Sequence, residues 1–225
     1  MKSLFRNFRI SLALALVFFL VGCDAPEPTG PSLKIKEGFV ATYKVSGHLY
    51  RGEVTHAEDG YTAWEITWKN TPRFKYKTYR GLLMVFSEEE GVKSWSSFDT
   101  EVVDSLFPLN VGNEIMLEGR HYTKANQDGY TYYTTITVRE KTEIAVKEEI
   151  FPVYIIDFSV VEDHPEGQRT FSKTSWYSEE LETDIRTEYH WPEGTFSIRM
   201  VALEAPEDQG DDEGPEPEGL GTVRL

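Results

Sequence analysis

The chain is predicted to be all-β: a single antiparallel domain of about ten strands, forming a strongly curved sheet, half-barrel or barrel-like sandwich. Three observations carry this expectation. Segments that alternate apolar and polar residues recur at roughly 8–12-residue spacing. Turn signals separate them, among them Glu58-Asp59-Gly60, Asn126-Gln127-Asp128-Gly129 and Pro192-Glu193-Gly194. Aromatic residues make up 13% of the chain, which suits strands better than a helical bundle, and no helix longer than two turns is signalled.

The first segment is not part of that domain. Lys2, Arg6 and Arg9 precede an uncharged run from Ile10 to Val21. That run is about a dozen residues, short of the ~20 a helix needs to cross a bilayer. A basic start, a short apolar middle and a small residue before the cut match a secretory signal peptide, residues 1–22. Its ending, Leu20-Val21-Gly22-Cys23, resembles the lipobox of bacterial lipoproteins. That resemblance implies diacylglycerol on the Cys23 thiol, cleavage before Cys23 and an N-acyl chain on the new terminus. The alternatives are an ordinary signal peptide with an incidental cysteine, or a short uncleaved anchor. Cys23 is the only cysteine in the chain, so no internal disulfide is possible, and acylation explains an unpaired thiol in an exported protein. Two or more acyl chains hold a protein stably on a membrane where one does not. The expected partner is therefore a membrane, reached through the lipid. Asp24 resembles the signal that keeps some enterobacterial lipoproteins at the inner membrane, which is slightly preferred here over the outer one.

Residues 23–37 follow as the lipidated cysteine and a Pro-rich tether, beginning Asp24-Ala25-Pro26-Glu27-Pro28. The whole chain carries 23 Lys+Arg and 38 Asp+Glu. Removing Lys2, Arg6 and Arg9 leaves 20 against 38, a mature charge near −18. Such a surface repels nucleic acid, so none is expected as a partner.

The globular domain is expected over residues 38–203. Phe39, Ala41, Tyr43 and Val45 alternate through a first strand, and Gly47 and Gly52 bracket its end. Trp64, Ile66 and Trp68 share one face of the next, over 61–69. Asn70-Thr71-Pro72 is expected to break it. Phe74 and Tyr76 then oppose Lys75 and Lys77. Leu82 to Phe86 is apolar on both faces and reads as a central strand. Strands are expected at 92–98 and 114–119, joined through a short helical turn at 99–106 and the connection Phe107-Pro108-Leu109. Tyr130 to Arg139 is rich in Tyr, Thr, Ile and Val, and Phe151 to Val161 is largely apolar. Glu162 to Gly167 reads as a polar loop. Strands at 169–177, 183–191 and 195–203 complete the pattern. In the middle one of these, Ile185, Thr187, Tyr189 and Trp191 oppose Asp184, Arg186, Glu188 and His190.

Residues 204–225 change composition to Pro, Gly and acid, and are expected to be disordered. Such a tail either docks a basic partner, binds cations loosely or simply solvates the chain.

Catalytic chemistry is not signalled. His48, His56, His121, His164 and His190 do not pair at metal-ligand spacing, and H-E-x-x-H is absent. No G-x-S-x-G, P-loop or G-x-G-x-x-G motif occurs. No metal and no cofactor beyond the acyl chains on Cys23 is expected, and the chain reads as a non-enzyme.

Thr174-Ser175-Trp176-Tyr177-Ser178-Glu179-Glu180-Leu181, followed by Ile185-Arg186, resembles a "tyWYspelG-x-V-R" signature of uncharacterised envelope lipoproteins with a curved antiparallel sheet. Phe107-Pro108-Leu109 with Gly112 resembles a second landmark of that group. Glu182 and Glu179 depart from its usual Gly and Pro. The resemblance implies a fold and no activity. Trp176 and Tyr177 point to opposite faces of a strand; they pack the core and strand edge, or one of them walls a ligand site. Trp64 and Trp68 raise the same choice, so Trp64, Trp68, Trp176 and Tyr177 are the candidate ligand-binding residues.

Two functions follow. The first is a membrane-anchored envelope lipoprotein with a non-catalytic binding or assembly role facing the periplasm, alongside an envelope protein partner. The alternative is a carrier or sensor of a hydrophobic lipid or peptide in a curved-sheet concavity. An open apolar concavity favours the second; a flat, well-packed sheet favours the first.

Overall fold

The computed structural model describes residues 35–204 apart from Ala125 and Gln127. Cys23, most of the tether and the acidic tail lie outside the described residues. Twelve strands follow in order: β1 (Val40–Val45), β2 (His48–Glu58), β3 (Tyr61–Trp68), β4 (Thr71–Tyr79), β5 (Leu83–Glu89), β6 (Val92–Phe98), β7 (Glu114–Thr123), β8 (Tyr130–Val146), β9 (Glu149–His164), β10 (Gly167–Ser178), β11 (Thr183–Trp191) and β12 (Gly194–Glu204). Among the described residues one helix, α1 (Thr100–Asp104), lies between β6 and β7. Each strand pairs antiparallel with its sequence neighbours, and β1 pairs with β12, so the sheet is a closed barrel. Closure leaves no sheet edge to aggregate.

The turns follow from local chemistry. Ser46-Gly47, Asp59-Gly60, Lys69-Asn70 and Glu90-Gly91 all sit at positive φ, the two-residue geometry whose twist matches a hairpin. The expected break at Asn70-Thr71-Pro72 is therefore a tight turn at Lys69-Asn70. Pro72 lies within β4, where a bulge between Ile66 and Thr67 accommodates it. Glu162 to Gly167 is likewise mostly strand: His164 pairs with Gly167 across a two-residue turn. α1 is capped by Asp99, whose carboxylate accepts from the Glu101 N–H at 2.9 Å.

Two further expectations need correction. The stretch from His48 to Glu58 is a strand, β2, because Gly52 faces the barrel core. A Cβ there would meet Ile66 at 2.8 Å and Tyr43 at 2.9 Å, so the glycine is a packing requirement. Leu83 to Phe86 is not buried on both faces. Leu83 and Val85 pack against Tyr79, Val103 and Leu117, whereas Met84 turns to the open interior and is 42% exposed.

The interior is divided. One end is solid: Phe39, Ala41, Val54, Trp64, Ile185 and Met200 pack into one cluster with Val146, Phe151 and Val153. The last three belong to the far part of the β8–β9 hairpin, and β8 also touches β12, which is not its sheet neighbour. The long hairpin therefore bends over this end. A bulge between Val138 and Glu140 marks the bend. A second cluster joins Leu106, Leu109, Ile136, Ile156 and Tyr177, closing the end beneath α1 and the Phe107–Pro108 connection, whose peptide bond is cis. Burying each such side chain stabilises the fold by about 1.5–3 kcal/mol. The described chain enters at this packed end, where Ile35 is buried, and leaves it at Glu204.

Many outward positions carry ion pairs. Lys75 meets Glu65 at 3.0 Å, Lys93 meets Glu88 at 3.7 Å and Arg139 meets Asp157 at 3.0 Å. With apolar side chains inside and ion pairs outside, the barrel has the reverse of the pattern that faces lipid.

Candidate functional site

The other end of the barrel is hollow. Between the packed clusters and the turns at Ser46-Gly47, Lys69-Asn70 and Pro192-Glu193 lies an open cavity of about 700 Å³. Ligand sites for small molecules commonly measure about 300–1,000 Å³ and are apolar with a few placed polar groups. Val45, Ile66, Phe74, Phe158, Val160 and Ile198 contribute apolar wall. Their inward aim follows from strand alternation, which sends Lys75 and Lys77 outward as Phe74 and Tyr76 turn in. Near the mouth, Trp191 stacks on Phe171, ring centroids 4.0 Å apart, and Tyr189 lies against Phe196.

The cavity also holds a buried polar group. Lys173 Nζ lies 3.3 Å from Asp184 Oδ2 and donates to the Leu82 carbonyl at 3.0 Å. The same ammonium rests 4.4 Å above the Phe158 ring. Ser175 Oγ donates to Asp184 Oδ2 at 2.9 Å, and Thr187 Oγ1 to the same oxygen at 3.1 Å. Asp184 Oδ1 is buried and accepts nothing, and Thr134 Oγ1 is in the same condition. Tyr43 and Tyr76 line the cavity beside this group. Burial pushes both phenols well above their usual range; they interact with each other, and the Asp184 charge adds to the shift.

A second polar patch lies on the β6–β9 wall. Ser96 Oγ and His121 Nδ1 are 3.0 Å apart. His121 packs on Tyr130, which packs on His164 with centroids 3.9 Å apart. Tyr130 donates to Glu162 Oε1 at 3.3 Å, and His164 Nε2 lies 2.9 Å from Glu162 Oε2. His164 is thus largely buried against Glu162 rather than solvated in a loop. Burial pushes the His121 imidazole below its usual value, and the Glu162 charge opposes this in part. Among the described residues no carboxylate hydrogen-bonds His121, so the Ser96–His121 pair lacks the orienting third group of a nucleophilic triad. No group of three or more His, Cys, Asp or Glu among the described residues is placed to hold a metal ion.

The four tryptophan and tyrosine positions singled out from the sequence lie elsewhere. Trp64 is 2% exposed and forms part of the packed end, stacked on Tyr76 at 6.2 Å and edge-on to Phe39 and Tyr43. Tyr177 is buried against Phe107. Trp176 is half-buried under the Arg186 guanidinium, 4.3 Å above its ring. Trp68 lies on the rim with His48 and Tyr50, covered by Lys69 and Arg73. None of the four lines the cavity. The residues that do include Tyr43, Tyr76, Lys173, Asp184, Tyr189 and Trp191.

Strict alternation predicts Asp184 on the opposite face from Thr187. The structure carries a bulge in β11: Arg186 pairs with Trp176 but Asp184 with Tyr177, so Ile185 is the extra residue. The bulge brings Asp184 and Thr187 to one face, where they hydrogen-bond. No turn residue announces it.

Against solved structures, the chain resembles the hypothetical lipoprotein YmcC from Escherichia coli, with a TM-score of 0.53 and 7% identity over 76% of this chain and 88% of that one. A candidate exported protein with a YmcC-like fold from Bacteroides fragilis gives 0.43, with 10% identity over 75% of this chain and 96% of that one. A candidate lipoprotein from Parabacteroides distasonis gives 0.42, with 13% identity over 75% and 96%. At these identities the first likeness speaks for the fold alone, and the two lower scores carry no argument. No protein-family model matches the chain, and no curated protein matches its sequence.

Proposed function

We propose that this chain is an envelope lipoprotein, acylated at Cys23 and facing the periplasm, whose barrel carries or senses a hydrophobic ligand. The open cavity of about 700 Å³, walled by aromatic and aliphatic side chains, carries this reading. Of the two functions the sequence left open, it favours the ligand carrier over a surface that acts only by docking a protein. A fully packed barrel needs no hollow end, and hollow apolar volume forgoes dispersion contacts that packing would supply.

The test is binding of the neutral apolar dye N-phenylnaphthylamine to the purified chain. The wild type is expected to bind with enhanced dye fluorescence. Val45 lines the cavity beside the Ser46-Gly47 turn; Val45→Trp is expected to fill the entrance and weaken dye binding about tenfold or more, with the fold retained. Absence of dye binding by the wild type refutes the reading.

A further inference from the structure

We propose that the corner of the cavity mouth formed by Arg73 and Glu89 recognises a zwitterionic head, an anionic group and an ammonium joined by a short link, on a ligand whose apolar chain lies in the barrel. The proposal rests on the cavity reading above and deepens it.

Five charged side chains line the cavity: Arg73, Glu89, Glu162, Lys173 and Asp184. Three of them are satisfied by the protein itself. Lys173 pairs with Asp184, and Glu162 is held by Tyr130 and His164. Arg73 and Glu89 remain, and both are exposed, so a molecule in the mouth reaches them. Arg73 gains the cavity through a bulge. Ile66 pairs with Phe74 but Thr67 with Pro72, so Arg73 is the extra residue of β4 and lines the cavity together with Phe74. The Trp68 ring, its centroid 5.2 Å from the guanidinium, orients the fork. Lys69 Nζ lies 4.6 Å from the same ring and adds a second cation. The nearest carboxylate to Arg73 is Glu90 at 3.8 Å, too long for a hydrogen bond and largely in solvent, so the pair is weak. Glu89 faces Phe74 across the β4–β5 pairing, on a strand about 5 Å from the one that carries Arg73. Among the described residues its carboxylate has no ion pair and no hydrogen bond, with Arg73 or any other group. Neighbouring charges on the outer face do pair, as Lys75 with Glu65 at 3.0 Å.

Charge decides the head. A purely cationic head meets Arg73 and Lys69 at the entrance. A purely anionic head meets Glu89 and Glu90, and the strong negative charge of the whole chain repels it on approach. A zwitterion brings no net charge. Its anion accepts from the Arg73 fork, its ammonium lies against Glu89, and each protein charge gains the opposite charge it lacks. The rest of the ligand meets the apolar wall, beginning at Phe74 beside both residues.

The experiment compares one chain length with four heads: dodecylphosphocholine, dodecyl phosphate, dodecyltrimethylammonium and dodecanol. Each competes for the full mature chain against N-phenylnaphthylamine, at concentrations below micelle formation. Dodecylphosphocholine is expected to bind at least about fivefold more tightly than either singly charged amphiphile. Arg73→Gln is expected to weaken dodecylphosphocholine and dodecyl phosphate by about threefold or more. Glu89→Gln is expected to weaken dodecylphosphocholine and dodecyltrimethylammonium by as much. Dodecanol is expected to bind both variants as it binds the wild type, which separates loss of head recognition from damage to the barrel. Either singly charged amphiphile binding the wild type as tightly as dodecylphosphocholine overturns the head-group assignment while leaving the cavity reading intact. So does an unchanged dodecylphosphocholine affinity in either variant. Failure of the dye and of all four amphiphiles to bind overturns both. The wild-type comparison needs no variant, so it remains decisive if a variant does not fold.

Discussion

Replacing Lys173 with methionine keeps the side chain's length and removes its charge from beside Asp184. The two side chains are 12% and 15% exposed, so water does little to compensate. Removing one partner of a buried ion pair costs about 3–5 kcal/mol. Here Ser175 and Thr187 still donate to Asp184 Oδ2, which lowers the expected cost to or just below the bottom of that range, about 2–3 kcal/mol. For a domain of this size each kcal/mol moves the midpoint by about 2–4 °C, so Lys173→Met is expected to melt about 4–12 °C lower. The assay is urea and thermal unfolding followed by circular dichroism, extended to a double-mutant cycle with Asp184→Leu. The double variant removes both charges and leaves Ser175 and Thr187 without their acceptor, at about 1 kcal/mol each. It is therefore expected to be about 2 kcal/mol more stable than the sum of the single effects predicts. Additive single effects, or a Lys173→Met cost below about 0.5 kcal/mol, would refute the picture of a desolvated, mutually dependent pair.

Two further outcomes follow from geometry and charge. Gly81 sits at φ +64 between β4 and β5, and a Cβ there would lie 1.9 Å from the Glu182 carbonyl oxygen on the neighbouring turn. Gly81→Ala should therefore cost several-fold more than Gly91→Ala, which has φ +81 and open space around it and suffers only backbone strain of about 1–2 kcal/mol; paired thermal melts measure the difference. His121 is held below its ordinary pKa chiefly by burial, so the unfolded chain binds the extra proton first. The stability linked to this neutral imidazole is full above about pH 6.5 and is lost as pH falls from there through the lower folded value. His121→Gln should flatten that part of the pH–stability curve, and an unchanged slope would contradict the assignment.

The parts of this fold governed by local chemistry can be read from the sequence. Asp59-Gly60 and Glu90-Gly91 are left-handed two-residue turns because few other pairs tolerate them. Phe74 and Tyr76 turn inward because Lys75 and Lys77 cannot. The short helix is announced by its Asp99 cap. What resists such reading depends on contacts between distant residues. β2 is polar and interrupted by Gly52, whose reason lies in the Tyr43 and Ile66 side chains across two hairpins. Closure of the barrel rests on the pairing of Val40 with Glu204, at opposite ends of the domain. The candidate site is the hardest case. Its key carboxylate faces inward through a one-residue bulge, and its lysine lies on β10, where Phe171 and Ser175 gave no hint of a charge between them. Large aromatics suit ligand walls, yet Trp64 and Tyr177 form packed core. Bulk fills a core as readily as it lines a cavity, and only the three-dimensional position separates the two uses.

The most direct measurement is native mass spectrometry of the protein extracted from its own membranes. The expected result is a mature chain starting at Cys23 with three acyl chains, carrying an apolar molecule in near-stoichiometric amount that Val45→Trp sheds. An acylated chain that arrives consistently empty, or one whose bound molecule is unaffected by Val45→Trp, would contradict it.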